Sequence, residues 1–175
     1  MVLALSDVLQ DPAHACRVLE DELFGVAVDR VLVPRRYGGV VLDLSFTPLP
    51  ELAIEGYGSE QCRVSVRPGG DIYAFPLGAP RTWRHRNPSP LGSRFGYLAG
   101  DLCLWYPQDS RSLRWEWGDG LEQYVTRAYR HLFYEEYARR TGEWPIEDAP
   151  HAEPNTGAHP VRSAFMRKEE RRWAS

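Results

Sequence analysis

The sequence predicts an α+β domain: a helix near the N-terminus, a four-stranded antiparallel meander, an active-site loop and a closing C-terminal helix. Three observations predict it. Apolar residues recur at spacings of three and four just after Asp11-Pro12, the apolar period changes to two between Val26 and Phe75, and a long three-to-four stripe returns after Asp119. At 175 residues, with 43% hydrophobic and 12% aromatic content, the chain suits one domain with a sizeable core.

The elements follow in order. Asp11 reads as a helix cap and Pro12 as the first helical residue; with Cys16, Leu19 and Leu23 on one side, the spacing predicts a helix over 12–23. Val26, Val28, Val31 and Val33 then lead through Tyr37-Gly38-Gly39 into Val40, Leu42, Leu44 and Phe46, two strands of a hairpin. A loop from Pro48 to Ser59 follows. Cys62, Val64 and Val66 form one face of a third strand, and Pro68-Gly69-Gly70-Asp71 turns the chain into a fourth at Ile72 to Phe75. Prolines and glycines from Pro76 to Asp101 predict irregular, surface-running backbone.

The closing helix is expected over about 119–141, with Asp119 as its cap and Glu122 completing a capping box. Leu121, Tyr124, Val125, Ala128, Leu132 and Glu135 share its buried side, and Gly142 and Pro145 end it. The domain is therefore expected at 1–146, with 147–175 a polar, charged tail that is mobile or docks on a partner.

Composition narrows the function. A net charge of −3 gives no overall reason to bind nucleic acid, no apolar run approaches a membrane span, and the start lacks a secretory pattern, so a cytoplasmic protein is expected. Three cysteines without metal-like spacing suggest neither a disulfide framework nor a metal site, and no cofactor is called for. Cys16 and Cys62 fall on apolar stripes and read as core. Cys103 alone lies in a loop context suited to reaction.

The chemistry then centres on His85-Arg86-Asn87-Pro88 and Cys103-Leu104-Trp105. A thiolate attacks acyl carbons well and leaves them well, and Asn87 is placed to donate to the oxyanion, an effect worth roughly 2.7–4 kcal/mol in a preorganised site. His85 is expected to organise the loop by hydrogen bonds. Asp101 and Asp109 are the nearest carboxylates able to orient an incoming ammonium and take its proton. Trp83, Trp105 and Tyr106 would wall a groove for an extended tail, or equally anchor the loop to the core. Lys168 is the chain's only lysine; such an arginine bias usually reflects genome composition, and the other reading is that a lysine-free body avoids acylation of its own amines.

Over about residues 10–145 the helix, meander, His-x-Asn loop, cysteine and closing helix together resemble the ubiquitin-conjugating enzymes. His85-Arg86-Asn87 and Gly100-Asp101-Leu102-Cys103-Leu104 match that family's His-Pro-Asn and Gly-x-x-Cys-Leu motifs in order. Arginine replaces the middle proline, and sixteen positions separate Asn87 from Cys103, about twice the family's usual spacing. The short form, the arginine and Glu143-Trp144-Pro145 look most like bacterial members encoded in antiphage operons, the stand-alone conjugating proteins of cyclic-oligonucleotide-based antiphage signalling (CBASS). The resemblance implies an acyltransferase that carries a partner's C-terminus, from a cGAS/DncV-like nucleotidyltransferase, as a thioester on Cys103 and passes it to a lysine. Two other readings remain open: a binding module for such a tail without chemistry, and a cysteine hydrolase activated by His85, His131 or His151.

Overall fold

The computed structural model describes residues 2–34, 38–79, 82–87, 100–105, 109–111 and 114–145, with Asn87 described through its backbone. Two helices open the chain. α1, Leu5–Gln10, begins where the Asp7 carboxylate accepts the Ala4 N–H at 3.0 Å; it buries only Val8 and is too short to show a stripe in the sequence. α2, Pro12–Glu22, starts as expected, with the Asp11 carboxylate accepting the His14 N–H at 2.9 Å and Pro12 at the first position. Ala15, Cys16, Val18 and Leu19 are its buried face.

The meander has the order β1-β2-β3-β4, every neighbouring pair antiparallel: β1 Val26–Leu32, β2 Val40–Phe46, β3 Glu60–Val66 and β4 Ile72–Pro76. Alternation decides the faces. Leu42, Val64 and Ala74 stand in register across three strands, flanked by Leu44 beside Cys62 and Val40 beside Val66, all at most 1% exposed. The opposite face is largely polar, with Asp43 and Arg63 paired across β2 and β3 in a two-pronged ion pair. The β3–β4 turn closes through Arg67 N–H to the Asp71 carbonyl at 2.9 Å.

β1 departs from simple alternation. A bulge between Val28 and Arg30 inserts Asp29, so the run of valines read as one period crosses a break, and Val31 and Val33 are exposed. On the outer side of this strand the Glu20 carboxylate of α2 accepts the Val28 N–H at 2.9 Å. The loop after β2 also holds more structure than its composition suggests. It contains a short helix, α3 Pro50–Ile54, with no buried residue, tied to the body by Arg140 donating to the Glu55 and Gly56 carbonyls and stacking on Tyr57 at 4.1 Å.

Part of the segment expected to be irregular is paired. β5, Arg86–Asn87, and β6, Asp101–Leu102, form a two-stranded antiparallel ribbon, a non-local pairing that proline and glycine content conceals. A 3-10 turn, Trp117–Asp119, then leads into α4, Leu121–Thr141. The capping box expected of Asp119 and Glu122 is not how α4 begins. Asp119 accepts the Glu116 N–H at 2.9 Å and pairs with Arg111, closing the preceding turn, while Gly120 occupies the cap with φ 85° and ψ 157°. Glu122 instead reaches the N-terminus, accepting the Leu3 N–H at 3.1 Å, and the Leu121 N–H donates to the Leu3 carbonyl at 3.0 Å.

α4 lays Leu121, Val125, Ala128 and Leu132 into one core shared with α2 and the sheet, and Tyr129 meets Phe46 edge-on at 5.6 Å. Each fully buried leucine or valine among them contributes roughly 1.5–3 kcal/mol. Among the described residues no helix is long and apolar enough to cross a membrane. The tail at 147–175, including Lys168 and His151, lies outside the described residues.

Candidate active site

The ribbon brings the two halves of the motif together. His85 lies opposite Cys103, whose N–H donates to the His85 carbonyl at 3.2 Å, and the register continues as Arg86 opposite Leu102 and Asn87 opposite Asp101. The segments on either side of residues 88–99 are therefore held together by backbone pairing. Asn87 sits two residues along the ribbon from the cysteine's cross-strand partner, about 7 Å at the rise of an extended chain. Its side chain lies outside the described part of the structure, as does Tyr106.

Cys103 is half-buried, and its thiol faces the Trp105 carbonyl at 3.8 Å. The other two cysteines are built into the core. Burial is the main effect raising the thiols of both Cys16 and Cys62, and each packs with the apolar residues around it. Trp105, two residues beyond Cys103, meets Trp115 at 6.1 Å and Tyr124 at 5.9 Å. Trp115 in turn donates to the Gly120 carbonyl at 2.8 Å, and Trp117 donates to the Gly70 carbonyl at 2.7 Å. Trp105 thus anchors the cysteine's segment to α4, and the Trp115–Trp117 contact at 5.0 Å extends the aromatic row to the β3–β4 turn.

Behind the ribbon lies a polar cluster contributed by α4. Glu135, only 1% exposed, accepts the Arg84 N–H at 2.8 Å and the His85 N–H at 2.6 Å. Burial pushes its carboxyl upward, but hydrogen bonds from His131 and from the Arg84 and His85 amides outweigh it and hold the pKa below the ordinary value. His131, one turn earlier, places Nε2 at 3.1 Å from the His85 carbonyl and 3.5 Å from Glu135 Oε1. Both neighbours are acceptors, so the proton belongs on Nε2. Gly142, at φ 80°, turns the chain at the end of α4 so that Trp144 covers the His85 ring at 4.3 Å and approaches His131 at 5.7 Å.

The remaining residues expected at the site take these places. Asp101 is 4% exposed and its charge acts on the half-buried Arg86, which donates to the Gly100 carbonyl. Burial lowers the Arg86 guanidinium, and Asp101, Glu135 and Cys62 act in the opposite direction. Trp83 packs against the core between the guanidinium groups of Arg86, at 5.4 Å, and Arg139, at 5.1 Å. Asp109 is partly exposed, its charge felt by Arg127. His85, Arg86, Asp101 and Cys103 therefore share the ribbon, whereas Trp83 and Trp105 brace its two sides.

Glu135 is the residue behind the candidate site that sequence reading passed over. Its position on the apolar stripe of α4 was visible; a carboxylate on such a stripe signals buried donors awaiting it. Among the described residues no group of three or more His, Cys, Asp or Glu side chains is disposed to hold a metal ion. Comparison with protein-family models, with curated proteins and with solved structures finds no match.

Proposed function

We propose that this chain is a ubiquitin-conjugating-like acyltransferase that carries a partner protein's C-terminus as a thioester on Cys103. The observation that carries the reading is the ribbon: it joins the His-x-Asn segment to the cysteine segment by direct pairing, with a half-buried thiol at its end. The motif order on an α+β frame of helix, four-stranded meander and closing helix supports the family-like fold.

The reaction has two steps. The Cys103 thiolate attacks the carbonyl of an activated C-terminus, the tetrahedral oxyanion is stabilised by Asn87, and the activating group departs with its electron pair. A neutral amine then attacks the thioester, gives up a proton to a carboxylate, Asp101 and Asp109 being the candidates nearest in sequence and Asp109 the more exposed of the two, and expels the thiolate to leave an amide. By resemblance the donor is a CBASS nucleotidyltransferase, the acceptor a lysine, and the setting antiphage defence in the bacterial cytoplasm.

A Cys103→Ser variant tests it. Ester aminolysis is much slower than thioester aminolysis, so co-expression with the operon partner should leave the serine esterified, visible by intact mass as one added partner chain and abolished by hydroxide. No adduct on the serine, together with undiminished partner modification by a Cys103→Ala variant, overturns the proposal. Binding of the partner tail without any adduct would instead support a recognition module.

A further inference from the structure

We propose that His131 and Glu135, one turn apart on α4, are positioning residues for Cys103, holding the backbone of His85 so that its carbonyl fixes the cysteine's N–H. The inference rests on the reading of Cys103 as the reactive group and extends it to a helix that carries no part of the motif.

The geometry is a relay of hydrogen bonds with His85 at its centre. Glu135 takes the consecutive peptide N–H groups of Arg84 and His85, at 2.8 and 2.6 Å, so the chain is gripped before the carbonyl of His85. That carbonyl has two lone pairs and two donors: His131 Nε2 at 3.1 Å and Cys103 N at 3.2 Å. Trp144 lies over the His85 ring at 4.3 Å and helps keep water from the cluster. The cluster is buried, with His85, His131 and Glu135 each less than 8% exposed. Hydrogen bonds among buried groups are the ones that rigidify, since no water stands ready to replace a lost partner.

The imidazole of His131 is thus committed to a carbonyl and a carboxylate as a fixed donor. Its part is to restrict where the thiol can be. Losing that donor frees the segment 101–105 locally, leaving Cys103 more accessible to a small reagent and less well aimed at an acyl carbon.

These opposite effects supply the test, made on the full chain. Iodoacetamide labelling followed by peptide mass spectrometry gives separate rates for Cys16, Cys62 and Cys103. In a His131→Leu variant Cys103 should label about tenfold faster, the worth of about one hydrogen bond, with Cys16 and Cys62 unchanged. His131→Gln, whose side-chain amide N–H can reach the His85 carbonyl, should restore the rate to within about threefold. Transfer from Cys103 should change the other way, with the rate constant falling about tenfold and the apparent KM for the acyl donor unchanged. An unchanged Cys103 labelling rate in His131→Leu, a glutamine variant no better than leucine, or acceleration of all three cysteines together overturns the inference. The proposed function and this positioning role fail separately, because labelling needs no partner: selective labelling changes with no serine ester would remove the conjugation reading and leave the clamp intact.

Discussion

Replacing Glu135 with alanine is expected to destabilise the protein by about 3–5 kcal/mol, read as a lowered urea midpoint with an unchanged slope. The carboxylate is 1% exposed and serves the Arg84 and His85 amides while standing 3.5 Å from His131. Its removal strands the buried His85 N–H, at a cost of about 1–3 kcal/mol, and takes the acceptor from the part-buried Arg84 N–H as well. A pH dependence accompanies this. The folded-state pKa of Glu135 is held below the ordinary glutamate value of about 4.3, so its contribution is fully present above that value and is lost as pH falls through the folded pKa. The wild-type protein should therefore lose stability on acidification more steeply than a Glu135→Gln variant, which keeps one acceptor oxygen without the charge. Equal acid slopes, or an alanine variant within about 1 kcal/mol of wild type, would contradict this account.

Gly120→Ala is the second large effect, expected to cost about 2–4 kcal/mol. With φ 85° and ψ 157°, Gly120 lies in a region essentially confined to glycine, and an added Cβ would collide with the Glu122 carboxylate. Glu122 is itself buried and holds the Leu3 N–H, so moving it gives up the attachment of the N-terminal segment to α4. Faster amide exchange at Leu3 should accompany the lowered urea midpoint. A variant that loses stability while Leu3 keeps its protection would assign the cost to backbone strain alone and remove the Glu122 contact from the explanation.

Much of this fold was legible because burial imposes a period on the sequence. The alternation of Val40, Leu42, Leu44 and Phe46 identified β2, and the Asp11-Pro12 start identified α2. What stayed hidden has no period to show. The bulge at Asp29 shifts the register without interrupting the valines, and α3 buries nothing. At the site, Cys103 and His85 could be named from motif spacing, and their direct pairing is what the ribbon adds. The capping role assigned to Asp119 failed for a different reason. The spacing of Asp119 and Glu122 suits a capping box, but Arg111 and the Glu116 N–H of the preceding turn claim Asp119, and the N-terminal Leu3 claims Glu122 from afar. A local pattern names a residue's capacity; distant competitors decide its use.

The outer side of β1 carries a consequence for life at high concentration. An uncovered strand edge is a template on which another extended chain can be laid, and sheets grow into aggregates by that route. Here the Glu20 carboxylate occupies the Val28 N–H, and the bulge beside it twists the neighbouring backbone out of step. An incoming strand would have to displace a charged group and match an irregular repeat within the same few residues. Glu20 and Asp29 thereby close the sheet to further strands at the edge where valines 31 and 33 would otherwise invite them.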